Sequence, residues 1–150
     1  EPVIRLIYLL FNMLLEVRDL PSDQRSWASR LLLEVYRTSR ERFAEDPTYL
    51  FFTSILMSVA GWHFGERDPD LPKAMRDRAC ALKPGHPLYT WGVAMNGRAQ
   101  DPHDVASISR AADNIVYKHP EIVRWLHAWG APGIYVLSSI ESSSKRKGDA

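Results

Sequence analysis

The 150-residue chain has a single cysteine, and that scarcity excludes several kinds of site. Cys80 cannot form a disulfide within the chain, and it has no second cysteine with which to hold a structural zinc ion. The five histidines include no pair four residues apart, which is the spacing of a helical metal site. No glycine-rich loop followed by lysine is present to hold a phosphate. We therefore expect no metal, no cofactor and a reducing, cytoplasmic compartment.

A surplus of one charge is also lacking. The chain carries 19 Lys and Arg residues against 18 Asp and Glu residues, a net charge of +1. Domains that bind nucleic acid usually carry a basic face, so we do not expect nucleic acid as a partner. The arginine-rich segment 23–44 places glutamates four residues after arginines, as in Arg30 with Glu34. That pattern predicts a solvated helix face that neutralises itself.

Long apolar runs are missing as well. The two most apolar segments, residues 3–17 and 47–64, fall short of the roughly 20 residues that a membrane span needs, so we expect buried helices and no membrane partner. In the first segment, Arg5, Asn12 and Glu16 fall within about 40° of one another on a helix. The other sides are apolar. We therefore expect this helix to be covered on nearly all sides, either at the centre of the domain or against another chain.

What the chain does contain is a repeat with a period of about 33 residues. Asp68-Pro69 recurs as Asp101-Pro102, and His86-Pro87 recurs as His119-Pro120. Each copy reads as Asp-Pro, a helix, His-Pro and a second helix. This period is typical of helical hairpins that bury their apolar faces by stacking on neighbours.

We therefore predict an all-α fold of seven to eight helices, arranged as antiparallel helical hairpins in a short solenoid. Residues 1–137 would form a single helical domain. From residue 138 the sequence is rich in serine and then in lysine and arginine, so we expect residues 138–150 to form a mobile tail. Residues 133–140 could form a last short helix or a strand, because their apolar side chains suit either.

The segment from about residue 68 to 130 resembles the tetratricopeptide-repeat family in its small residues and helix ends. Ala74 and Ala81 lie seven residues apart, Leu82-Lys83-Pro84 closes their helix, and Trp91-Gly92 lies on the next one. Alanines at this spacing let two helix axes approach closely. The resemblance implies a stack of helical hairpins and does not name a ligand.

The sequence contains no catalytic motif, so we predict a non-enzymatic module that binds another protein or a peptide. An adaptor, a secretion chaperone and a toxin-neutralising immunity protein are examples of this class. In stacked hairpins the first helices line a concave side, and residues near their ends are our candidates for partner binding: Arg124, Tyr89, His63, Asn96, Arg98 and His127. The alternative is a small all-α enzyme that uses His63, His103 or His127 with nearby carboxylates.

Overall fold

The computed structural model describes residues 2–97 and 101–145, and the side chain of Lys145 is not described. These residues form eight α-helices and one short 3₁₀ helix, and they contain no strand. The helices are α1 (Pro2–Glu16), α2 (Ser22–Arg42), α3 (Pro47–Ala60), α4 (Leu71–Leu82), α5 (Pro87–Ala94), α6 (Pro102–Lys118), α7 (Pro120–Ala128) and α8 (Ala131–Lys145), with the 3₁₀ helix at Gly61–Phe64. The predicted all-α class and helix number are confirmed.

The chain forms two compact units, Glu1–Ala79 and Cys80–Ala150. The boundary between them falls inside α4. The first unit holds α1, α2, α3, the 3₁₀ helix and most of α4, and the second holds α5 to α8.

In the first unit the most enclosed helix is α3, whose residues are buried continuously from Tyr49 to Met57. Asp46 and Pro47 define the start of this helix. The Asp46 carboxylate accepts a hydrogen bond from the Tyr49 amide (2.9 Å), and Pro47 occupies the first turn, where no amide donor is needed. A helix that is apolar all round is stable in water only when it is covered on all sides, and α3 meets that condition from Tyr49 to Met57.

The expectation that α1 is covered on nearly all sides is wrong within this chain. One side of α1 packs against α2 and α3 through a buried stripe, which is Ile4, Ile7, Leu10, Phe11 and Leu14. On the other side Leu6 is 38% exposed and Leu9 is 58% exposed. The central helix is α3, so α1 lies at the edge of its unit with one face buried. The other possibility, docking on another chain, stays a prediction.

In the second unit, α8 corrects the prediction of a mobile tail from residue 138. Residues 138–145 continue the helix that begins at Ala131, which also excludes the strand alternative for 133–140. The apolar residues Leu137 and Ile140 are buried on α8, and Ser109 of α6 donates a hydrogen bond to the Ser143 carbonyl oxygen (2.7 Å). A serine-rich sequence is typical of an unstructured tail, so these contacts of α8 were not predicted. Residues 146–150 lie outside the described part of the chain.

The two His-Pro dipeptides occupy equivalent places in the second unit. His86 and His119 each stand immediately before a helix, α5 and α7, whose first residue is the proline. His119 also influences His86. The pKa of His86 is lowered first by burial, then by the charge of Lys83 and then by that of His119.

The two Asp-Pro dipeptides are not equivalent. The Asp101 carboxylate caps α6 by accepting a hydrogen bond from the His103 amide (2.8 Å). The Asp68 carboxylate instead accepts from the Asp70 amide (2.9 Å) in a turn, and α4 begins only at Leu71. The helices that follow differ accordingly, with 12 residues in α4 and 17 in α6.

Replacing Leu10 by Ala should lower the free energy of unfolding by about 2–5 kcal/mol, because this buried side chain would leave a cavity between α1 and its neighbours. Leu9→Ala is the matched control, since Leu9 is the adjacent leucine and is exposed. Denaturant unfolding measures both. Equal effects of the two changes would contradict the assignment of the buried side of α1.

Replacing Gly133 by Ala should lower the stability of the second unit by about 1–3 kcal/mol through overpacking. A methyl group at Gly133 would overlap the carbonyl oxygen of Leu126 and lie 2.9 Å from the Trp129 Cβ. Gly61→Ala is the control, because a methyl group there meets nothing within 4 Å. Thermal unfolding followed by circular dichroism compares the two, and a Gly133→Ala protein as stable as Gly61→Ala would contradict the close approach of α7 and α8.

Candidate functional site

A groove opens in the first unit where the end of α3, the 3₁₀ helix and the start of α4 come together, and it encloses about 400 Å³. We call it the Trp62 groove. Its lining combines apolar and charged side chains with two prolines and one glycine: Met57, Ser58, Val59, Gly61, Trp62, Glu66, Arg67, Asp68, Pro69, Pro72 and Arg76. This volume is within the range of small ligand pockets and suits a few side chains of a bound segment.

The indole of Trp62 is exposed because of how α3 ends. The chain tightens into the 3₁₀ helix, in which residues three apart share a side. Phe64 is the buried member of this turn, packed 5.8 Å from the Phe11 ring and 5.3 Å from the Tyr36 ring. Two residues earlier, Trp62 therefore points outward and is 69% exposed, and Val59 of the last turn of α3 is 48% exposed beside the same groove.

The groove also holds a buried guanidinium. Arg76 of α4 is 7% exposed, and its Nη1 donates to the Ser58 hydroxyl (2.7 Å) and more weakly to the Ser54 carbonyl oxygen (3.4 Å). Burial lowers the pKa of Arg76, and the charge of Asp77 offsets part of that effect. An arginine stays charged at neutral pH even so, and a charge held in low dielectric interacts strongly with an added anion.

The two carboxylates that line the groove are engaged within the fold. Glu66 accepts hydrogen bonds from Arg40 (2.7 Å) and from the Tyr36 hydroxyl (3.0 Å) through one oxygen, Oε1. Burial first, and then this hydrogen bond, raises the pKa of Tyr36. The Asp68 carboxylate closes the turn described above. Arg67 is exposed and makes no hydrogen bond or ion pair with the residues that the structure describes.

The second unit has a larger pocket of about 480 Å³ between α6, α8 and the end of α5, and its polar lining is serine hydroxyls. Ser139 and Ser143 donate to the carbonyl oxygens four residues earlier on α8, at 3.2 and 2.8 Å. Such hydroxyls satisfy the helix to which they belong. Among the described residues no charged side chain lines this pocket, so the Trp62 groove has the stronger recognition chemistry.

The partner-binding residues expected from the sequence lie in both units. Arg124 and His127 are exposed on α7, as their expected role requires. Tyr89 is buried and stacks on His86 with ring centroids 4.4 Å apart, so its ring is not on the surface and the choice of Tyr89 is not supported by its position. Asn96 is half-buried at the end of α5. Arg98 lies outside the described residues.

His63 belongs to the first unit, where it is half-buried edge-to-face against Phe11 (6.4 Å) and beside Trp62 (5.6 Å). Burial and then the charge of Arg25 lower its pKa. His103 is exposed in the first turn of α6. Neither of the two pockets described above is lined by a histidine.

Across residues 2–97 and 101–145, no group of three or more His, Cys, Asp or Glu side chains is arranged to hold a metal ion. In the same part of the chain, every helix is too short or too polar to cross a lipid bilayer. Comparison of the chain with protein-family models, with curated proteins and with solved structures gave no match.

Sequence reasoning missed the Trp62 groove because it assigned Val59 and Trp62 to the packed part of α3. One signal was available. Ser54 and Ser58 are serines four residues apart on a largely apolar helix, so they share one side. That side receives the long side chain of Arg76.

Stability should fall as the pH is lowered from about 7.5 to 5, and His63 should contribute to the fall. The pKa of His63 is lower in the folded state than in the unfolded chain, so the unfolded chain is protonated first as the pH falls. Acidification therefore stabilises the unfolded chain relative to the folded state. His63→Gln, which removes the titrating group, should make the free energy of unfolding less dependent on pH. The control is His127→Gln, at an exposed site. Identical pH slopes for His63→Gln and the wild type would contradict the environment assigned to His63.

Proposed function

We propose that this chain is a non-enzymatic protein-binding module of the cytoplasm, and that it holds a segment of another protein or a peptide in the Trp62 groove. The observation that carries the proposal is an exposed indole beside a buried guanidinium in one concave site. An adaptor, a secretion chaperone and a toxin-neutralising immunity protein all work by recognition of this kind.

Trp62 and Val59 supply apolar contacts in the groove. Tryptophan and arginine are enriched among the residues that contribute most to protein–protein binding, and they act best in concave sites where a partner displaces water. Trp62 is supported by the buried Phe64 in the same turn, so its position is set by the fold before a partner arrives. A rigid aromatic anchor loses little side-chain entropy on binding.

The charged residues of the groove favour a partner with a carboxylate. Arg76 and Arg67 both line the groove, while Glu66 and Asp68 already accept hydrogen bonds within the fold. A carboxylate that enters here meets a guanidinium in low dielectric, where a charge-assisted hydrogen bond is strong. The partner segment would therefore carry Asp, Glu or a C-terminal carboxylate next to an aromatic or aliphatic side chain.

The same proposal extends to the architecture of the repeat. We take the two His-Pro corners as equivalent points of stacked hairpins in the tetratricopeptide manner, supported by the position of each histidine immediately before a helix that begins with proline. The exposed Arg124 and His127 on α7 would then form a second, weaker contact surface of the second unit.

Trp62→Ala should weaken binding of a selected peptide by about tenfold or more, because the variant removes the anchor and leaves the core intact. Peptides are first selected from a random display library against the wild-type chain, and those enriched should pair an acidic residue with an apolar one. Calorimetry then compares the variants. Arg67→Ala should weaken binding less, and its effect should shrink at high salt, because an exposed charge is screened.

Trp27→Ala is the matched control, since Trp27 is an exposed tryptophan of the same unit that does not line the groove. Arg76 is left unchanged in this series because its removal would also disturb Ser58. Unchanged affinity for Trp62→Ala, together with a loss of affinity for Arg124→Ala, would place binding on α7 and contradict the proposal. An enriched set without acidic residues would contradict its charged part.

A further inference from the structure

The outer side of α1 is an apolar stripe with a charge near each end. Leu6, Leu9 and Met13 lie on this side, with Leu9 the most exposed of the three. Arg5 and Glu16 border the stripe, and both are exposed. Apolar side chains that are contiguous on an exposed helix face are a common feature of interaction surfaces.

The two charges lie along one edge of the stripe. At 100° per residue, Arg5 and Glu16 are about 20° apart around the helix. Along its axis they are separated by about 16 Å, which is too far for an ion pair between them. Neither makes a hydrogen bond or ion pair with any described residue. The edge therefore carries a positive charge near the helix start and a negative charge at its end.

We propose that this face of α1 is a homodimer interface, in which α1 packs antiparallel against α1 of a second copy. The two-fold axis is perpendicular to both helices. It places the Arg5–Glu16 edges of the two copies on the same side of the interface, running in opposite directions. Arg5 of each copy then lies opposite Glu16 of the other, and the pair forms twice. The same alignment sets Leu9 of one copy against Met13 of the other, at the middle of the stripe.

The charge pattern is what selects a second copy as the occupant. When a second copy of this edge runs in the opposite direction, its negative charge faces the positive charge of the first copy, and the reverse also holds. The spacing matches because both edges are the same. If the two helices were parallel, the two edges would lie on opposite sides of the interface, and neither Arg5–Glu16 pair would form. A single helix face buries little area, so the dimer is weak and depends on concentration. The interface involves no residue of the Trp62 groove, and it stands independently of the proposed function.

The test is sedimentation of the full chain over a range of concentrations. The wild type should associate to a dimer as concentration rises. Arg5→Glu or Glu16→Arg alone should weaken the dimer about tenfold, because each places like charges at both ends of the seam. The double variant, Arg5→Glu with Glu16→Arg, restores opposite charges and should regain dimerisation. Leu9→Glu should abolish it.

Arg18→Glu is the matched control, an exposed arginine just beyond α1 with the same change in net charge. Circular dichroism checks that every variant is folded. A wild type that stays monomeric at all concentrations overturns the proposal. Failure of the double variant to recover, or an equal effect of Arg18→Glu, overturns it too. A monomeric wild type that sediments with anionic vesicles, with Leu9→Glu losing that binding, assigns the face to a membrane surface instead and also overturns it.

Discussion

The buried guanidinium of Arg76 is the constraint around which the first unit is arranged. An unsolvated charge is costly unless polar groups surround it, and α3 supplies them through Ser54 and Ser58. The side chain of Arg76 spans from α4 to α3, so it holds the start of α4 near the end of α3. The space beside that long side chain is the Trp62 groove.

The turn that joins these helices is held at several points. Phe64 is buried between aromatic rings of α1 and α2, and Glu66 is hydrogen-bonded to Tyr36 and Arg40 of α2. These contacts hold Phe64 and Glu66, the residues on either side of Gly65, against α1 and α2. Trp62 lies on the other side of the same turn and stays in solvent. The exposure of the indole is thus a consequence of what its neighbours bury.

Helix starts were predictable because their chemistry is local. Asp46 before Pro47, Asp101 before Pro102 and the two His-Pro dipeptides each mark a helix start in the structure. A proline at the first helical position needs no amide partner, so the signal does not depend on the rest of the chain. The dipeptide alone is not sufficient, however. Asp68-Pro69 forms a turn, and α4 starts only at Leu71.

Burial was less predictable, because an aromatic or aliphatic residue carries no mark of which side its neighbours cover. The burial of Tyr89 and that of Trp62 both differ from what the sequence led us to expect. The ring expected on a surface stacks in the core, and the ring expected in the core is exposed. The serines of α8 hid an amphipathic helix in the same way, since buried Ile140 and the bond from Ser109 to the Ser143 carbonyl anchor it. Each outcome depends on long-range packing, which a pattern of single residues does not contain.

The groove and the outer face of α1 differ in what their charges can recognise. In the groove the carboxylates already accept hydrogen bonds within the fold, and the exposed guanidinium of Arg67 is available in the same lining as the Trp62 indole. That chemistry favours an anionic partner of another kind. Along α1 one charge of each sign remains exposed, and such an edge is complementary to its own reverse. A near-neutral chain can therefore have one surface suited to a foreign acidic segment and another suited to itself, because recognition depends on which charges the fold leaves unengaged and where it places them.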